Sequence, residues 1–187
     1  MPERDYDTLV DMLARRSAKR GDFTLASGKR SSLYIDARLT TMSPDGLALI
    51  GPLGLNAVRA LDPTVAAVGG LTLGADPISY AIAYASALPG GGPLVQAFTV
   101  RKEAKAHGTG KLIEGPFTAG HRVVVIEDVI TTGGSALRAV DAIRAAGGTI
   151  AGVLALVDRE EGGREAIEGA GLHVVSLVRA SQILARV

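Results

Sequence analysis

The chain has 187 residues, long enough for one domain with a real core, and its 47% hydrophobic and 21% charged content is that of an ordinary globular protein. A net charge of +1 supplies no bulk field for nucleic acid or a membrane surface, so any anion site has to be local. The lack of cysteine excludes disulfides, thiolate catalysis and cysteine-ligated zinc. The charged N-terminus, MPERDYDTLV, has no apolar signal core, so a cytoplasmic location is expected.

In chain order, Leu9, Val10, Leu13 and Ala14 fall at helical spacing and predict a helix over residues 5–19, ended by Gly21. Residues 23–25 and 33–35 read as short strands around the turn Ser27-Gly28-Lys29. Ser43 as N-cap and Pro44 at the first helical position start a helix that runs to about Leu61. Residues 65–68 form a short apolar run, 78–88 a helix and 94–100 a strand. The uncharged stretch 77–100 imitates a membrane span, but Pro89-Gly90-Gly91-Gly92-Pro93 divides it into pieces too short to cross a bilayer. Residues 101–115 are a long polar connection. A strand at 123–126, a helix at 136–146, a strand at 150–157, a helix at 164–170 and a strand at 173–178 complete the pattern.

Continuously apolar strands alternating with helices indicate an α/β fold, a mostly parallel sheet flanked by helices on both faces. A single domain over residues 1–187 is expected. In it the N-terminal helix and hairpin, residues 1–40, form a small hood on an α/β core of residues 41–187.

Two segments carry chemistry. In residues 123–135, VVVIEDVITTGGS, four aliphatics deliver Glu127 and Asp128 to the C-terminal edge of a sheet, where open α/β folds bind ligands. Adjacent carboxylates are comfortable only when solvated, metal-bound or hydrogen-bonded to hydroxyls. Thr131-Thr132-Gly133-Gly134-Ser135 then opens a helix, so converging backbone N–H groups, hydroxyls and the helix N-terminus favour an anion. Carboxylates for a polyol beside a cradle for a phosphate suit a sugar phosphate. The other phosphate motifs fail: Gly110-Lys111 is followed by Leu112 rather than Ser or Thr, and no G-x-G-x-x-G is present. The second segment sets Arg101, Lys102, Lys105, His107 and Lys111 around a single acid, Glu103. In a nearly neutral protein such a cluster suits a diphosphate, with Gly108 and Gly110 allowing the loop to close and exclude water.

The 123–135 segment resembles the phosphoribosyl-diphosphate (PRPP) motif of type I phosphoribosyltransferases. Three further segments are similar to the orotate branch of that family: FTLASGK at residues 23–29, RKEAKAHG at 101–108 and Val157-Asp158-Arg159-Glu160. The resemblance spans nearly the whole chain. It implies a magnesium-dependent transfer of ribose 5-phosphate from PRPP to orotate, giving orotidine 5-phosphate and diphosphate, in pyrimidine biosynthesis. By position it implies that Arg101, Lys102, Lys105 and His107 contact the diphosphate. Glu127 and Asp128 hold the ribose hydroxyls, Thr131, Thr132, Gly133, Gly134 and Ser135 hold the 5-phosphate, and Val129 and Ile130 between them also contact PRPP. Lys105, His107 and Asp128 are then the catalytic candidates. Arg159 pairs with the orotate carboxylate, with Thr131 nearby and Lys29 a further candidate. Magnesium is held mainly by PRPP, near Asp128. A homodimer with shared active sites is also implied.

The chain departs from some relatives at Ala26, where they carry Lys, and at Thr72-Leu73, where they carry Tyr-Lys. The loop after the strand at 65–68 would then meet diphosphate through backbone N–H groups. Asp36 and Arg38 read as hood or dimer contacts, and His121 and His173 as structural. A purine or uracil acceptor, or a PRPP-sensing regulator of the same fold, are the competing readings. Arg159 and the basic loop argue against a neutral base. The near-zero charge and the lack of a DNA-binding extension argue against a regulator.

Overall fold

A computed structural model describes residues 3–24, 30–103 and 111–187. Helix α1 (Glu3–Met12) continues into a short π-helical turn (Leu13–Ser17) and passes directly into strand β1 (Ala18–Thr24), which pairs antiparallel with β2 (Arg30–Ile35). Gly21 therefore lies inside a strand and does not end the helix. It sits where the β1–β2 register shifts, under the Phe23 ring, where a Cβ would come within 2.9 Å of ring carbons. A short helix α2 (Arg38–Thr41) follows, which the sequence pattern did not reveal.

Helix α3 (Pro44–Leu61) starts as expected: the Ser43 hydroxyl accepts the Gly46 N–H, and Pro44 occupies the first turn. The core then alternates β3 (Ala67–Leu71), α4 (Ala75–Ala87), β4 (Gln96–Val100), β5 (Ile113–Glu114), β6 (Arg122–Ile130), α5 (Gly134–Ala145), β7 (Thr149–Asp158), α6 (Gly163–Gly169), β8 (Val174–Arg179) and α7 (Ala180–Leu184). The six-stranded sheet has the order β5-β4-β3-β6-β7-β8, and β5 alone of its strands runs antiparallel to its neighbour.

Helices cover both faces. Leu9, Leu13, Ile50, Val58, Ile78 and Ile82 pack on one side with Ile126 and Leu154, and Phe98, Val125, Val140, Ile143 and Ile167 fill the other. Both layers are mostly aliphatic, and the named side chains are removed from water, the dominant favourable term in such a fold. Polar contacts hold the N-terminal segment: within it Ser17 meets Thr40 at 2.8 Å, and Arg16 grips Asp45 at the start of α3 through two bonds of 2.7 and 2.6 Å. Among the described residues, no helix is long and apolar enough to cross a membrane.

The strand order fixes the place of the site. From β3 the chain moves outward to β4, whereas from β6 it moves the opposite way to β7 and β8. Between β3 and β6 their following loops diverge to opposite sides and leave a crevice at the C-terminal edge.

Candidate active site

Strand β6 is fully buried through Val123, Val124, Val125 and Ile126, and it does not stop there. Its pairing with β7 continues through Glu127↔Ala155, Val129↔Val157 and Ile130↔Asp158. Glu127 and Asp128 are thus held by a strand at the sheet edge, where sequence periodicity placed them on a loop. Burial, and next the adjacent Asp128 carboxylate, push the Glu127 carboxyl up to about 9. At neutral pH it carries its proton and can donate as well as accept. Asp128 Oδ1 accepts the Val129 N–H at 2.9 Å, which orients that carboxylate.

The turn after β6 needs Gly133 in the left-handed region, φ 80°, and a Cβ there would meet the Gly163 carbonyl at 2.8 Å. Gly133 precedes α5 without any side-chain cap, so the N–H groups of the first turn are left for another acceptor. Residues 129–135 wrap a small hollow of about 30 Å³ at this point, with Glu127 on its border.

That hollow adjoins an open cleft of about 580 Å³, lined by Glu127, Asp128, Val129, Thr131 and Ser135 from the β6–α5 region. Thr72, Leu73 and Gly74, from the end of β3, border it as well, with a cis peptide between Thr72 and Leu73. Gly74 packs directly on Asp128: a Cβ at Gly74 would lie 2.4 Å from the carboxylate carbon. Lys102 also reaches the cleft.

The end of β2, the residues after it and Arg159 beyond β7 supply the remaining lining. Arg159 follows β7 with its side chain 5% exposed. Its Nη2 donates to the Leu33 carbonyl of β2 at 2.9 Å and to Glu161 Oε1 at 2.7 Å. Tyr34, Asp36 and Arg38 also line the cleft. Arg38 donates to Asp36 through Nε at 2.8 Å and Nη2 at 2.9 Å, and this contact first of all lowers the Asp36 carboxyl and raises the Arg38 guanidinium.

The structure thus brings together Lys102, Glu127, Asp128, Val129, Thr131, Ser135 and Arg159 around one cleft. Ile130, Thr132, Gly133 and Gly134 surround the adjoining hollow. Arg101 stands apart: it pairs with Glu114 at 3.7 Å and lines a separate depression behind Thr72. The two-residue strand β5, hidden in what read as a polar connection, brings that glutamate to it. Lys29, Lys105 and His107 lie outside the described residues. Tyr34, Asp36 and Arg38 were missed as site residues because only the return of β2 over the core brings them there. Their one sequence signal is an acid and a base flanking a buried alanine right after a strand. His121 accepts the Thr118 N–H and packs edge-on against Phe117, a structural role, while His173 is exposed just before β8.

Among the described residues, no group of three or more His, Cys, Asp or Glu side chains could hold a metal ion. The Asp128 carboxylate offers oxygen donors of the kind magnesium takes. It fits an ion held chiefly by substrate oxygens and water rather than a protein cage.

Residues 69–170 match the phosphoribosyl transferase domain. The chain is 48% identical to the orotate phosphoribosyltransferase of Aquifex aeolicus, over 96% of this chain and 98% of that protein. It also superimposes on the crystal structure of Mycobacterium tuberculosis orotate phosphoribosyltransferase with a TM-score of 0.82 and 43% identity, covering 96% and 98% of the two chains. A second structure of the Mycobacterium tuberculosis enzyme, solved with PRPP, gives a TM-score of 0.78 at 40% identity, with the same coverage. A crevice at the β3/β6 divergence, acids at its edge, an uncapped helix start and an arginine beyond β7 therefore occur in a chain that belongs to the phosphoribosyltransferase family, in its orotate phosphoribosyltransferase branch.

Proposed function

We propose that the chain transfers ribose 5-phosphate from PRPP to orotate, giving orotidine 5-phosphate and diphosphate. The observation that carries this reading is the single cleft joining the β6–α5 hollow, the Glu127–Asp128 pair and the Arg159 guanidinium. The hollow, with its unoccupied first-turn N–H groups, takes the 5-phosphate. Glu127 and Asp128 take the ribose hydroxyls, the protonated Glu127 donating to one oxygen while Asp128 accepts. Arg159 takes the orotate carboxylate through its planar fork. A nitrogen of the orotate ring forms the new bond to the anomeric carbon as the bond to diphosphate breaks; the diphosphate leaves with the electron pair, and the proton of the ring nitrogen passes to the departing diphosphate or to water. The protein's part is positioning and charge stabilisation.

Magnesium, when bound, offsets the charge of the diphosphate. Asp128 would contribute to holding it. Lys102, Lys105, His107 and Arg101 are the side chains assigned to the leaving group, Arg101 after giving up Glu114. Lys29 is assigned to the orotate end.

The assignment of residues 1–40 as a hood on the core of 41–187, a cytoplasmic location and a homodimer belong to the same reading. The dimer is supported by exposed apolar surface beside the cleft. Leu39, Met42 and Leu73 border one shallow hollow, Leu73 being 62% exposed, and Tyr80 and Tyr84 stand out from α4, Tyr84 69% exposed. Light scattering on the purified chain is expected to give twice the chain mass, and a fully active monomer would reject the shared site.

The deciding experiment mixes purified protein, magnesium and PRPP with orotate, uracil or adenine, and follows loss of base absorbance. Turnover of orotate is expected. Turnover of uracil or adenine without orotate overturns the base assignment.

A further inference from the structure

Asp76 lies in the first turn of α4, only 9% exposed, and outside the cleft lining. Each of its carboxylate oxygens takes one threonine hydroxyl. Thr72 Oγ1 donates to Oδ2 at 2.6 Å, and Thr99 Oγ1 donates to Oδ1 at 2.8 Å. Tyr80 OH lies 2.9 Å from Thr99 Oγ1. A hydroxyl has one proton, and that of Thr99 goes to Asp76, so Tyr80 must be the donor in this contact. The protons of all three hydroxyls therefore run in one direction, toward the buried carboxylate.

The inner end of this network reaches the cleft. Thr72 ends the β3 wall and is followed by Leu73 and Gly74, which line the cleft. Thr72 is pinned at two points, its N–H to the Val100 carbonyl at 2.9 Å and its hydroxyl to Asp76. Its only hydroxyl proton is committed to Asp76, so it turns lone pairs to its surroundings and cannot donate to an anion. Its hydroxyl therefore anchors the loop and does not bind ligand. Two things depend on where the loop is anchored. One is the backbone of Leu73 and Gly74 that borders the cleft together with Lys102, a side chain assigned to the leaving diphosphate. The other is the space left to Asp128, since Gly74 touches that carboxylate.

We infer that Asp76 is a positioning residue: by holding the Thr72 hydroxyl it fixes the 72–74 loop against Asp128 and so sets the affinity for the diphosphate end of PRPP. The inference rests on the proposed function for the identity of that ligand. An Asp that merely stabilises the start of α4 by its charge would affect folding and both substrates alike.

The test uses the full-length chain carrying Thr72→Val, which keeps the shape of the side chain and removes its hydroxyl. One lost hydrogen bond to a charged group is expected to raise the KM for PRPP about tenfold, with the KM for orotate within about twofold. Thr72→Ser, which restores the hydroxyl, is expected to return the PRPP value to within about twofold of the parent. Calorimetry with magnesium diphosphate alone is expected to show the same tenfold weakening in Thr72→Val.

If the parent protein fails to turn over orotate while Thr72→Val still weakens diphosphate binding, the base assignment falls and the role of Asp76 stands. Equal rises in both KM values, unchanged diphosphate binding, or failure of Thr72→Ser to restore it overturn the inference. Should Thr72→Val not fold, Asp76→Asn carries the same test. It keeps one acceptor oxygen and is expected to weaken diphosphate about threefold. No change in that variant overturns the inference as well.

Discussion

The part of the cleft built by β6 and the start of α5 comes from consecutive residues, 123–135. The rest of its lining is gathered from the end of β2, the loop after β3, Lys102 beyond β4 and the end of β7. The two parts also differ electrostatically. On the β6–α5 side one carboxyl is held in its protonated form and a helix start lacks a cap, so both groups are poised for a ligand. On the other side the charges have found partners within the protein, Asp36 with Arg38 and Arg159 with Glu161. A ligand completes the first side but competes with existing contacts on the second. That contrast predicts that changes on the β6–α5 side act on PRPP, and changes at Arg159 act on the base.

The largest effect is expected from a residue on neither side. Glu127 and Asp128 bring no positive charge to a diphosphate, so the cation has to come from the basic segment. Lys105→Ala removes a charge-assisted contact of about 1.5–3 kcal/mol, or about ten- to 150-fold in turnover. Unchanged steady-state turnover would sink the loop assignment. Next, Arg159→Ala is expected to raise the KM for orotate about tenfold or more, through loss of a paired, buried charge contact. Initial-rate measurements with each substrate varied in turn check this, and equal effects on both substrates would erase the division drawn above. Gly74→Ala tests the seam between β3 and β6. Its Cβ would stand 2.4 Å from the Asp128 carbon, so Asp128 or the loop must shift. A decrease of about tenfold in kcat/KM for PRPP is expected, the size of one lost hydrogen bond. Wild-type kinetics would mean that Asp128 moves without consequence.

A further test reads stability in place of rate, through pH. The Glu127 carboxyl titrates higher in the folded chain than in the unfolded one. Its contribution to stability is therefore complete below the unfolded value, near 4.5, and is lost as pH rises toward about 9. Glu127→Gln lacks this titration. Thermal melting should show the variant gaining on the parent as pH goes from 5 to 9, by an amount on the order of 1–3 kcal/mol at the upper end. A constant difference across that range would contradict the buried, protonated carboxyl.

These same two parts show what the sequence could reveal. The β6 strand, the acids, the Gly133 turn and α5 are consecutive, so their order alone specifies a strand–loop–helix anion site. Local pattern did not reveal that β6 extends through Glu127 and Asp128, because the pairing that keeps them extended comes from β7. The hood was harder. Ala18 leaves the helix for an extended conformation after a π-helical turn, and Gly21 marks a bulge, so the glycine misled as a helix stop. Asp36 and Arg38 became cleft residues only through the packing of β2 near β7, where Leu33 meets Arg159 across 126 positions of sequence. Arg101 was legible as a cation but not as the partner of Glu114, which a two-residue antiparallel strand supplies.

The Arg159–Glu161 contact has a consequence for selectivity on the proposed reading. The guanidinium has already lost its water and already holds one carboxylate. A carboxylated ring entering the cleft substitutes one anion for another, so the buried cation never passes through a bare state, and the departing Glu161 side chain regains hydration. A neutral ring has no anion to offer in exchange and leaves the internal pair intact. Discrimination then arises from the difference between two similar contacts, a gate that opens only to a key of its own charge.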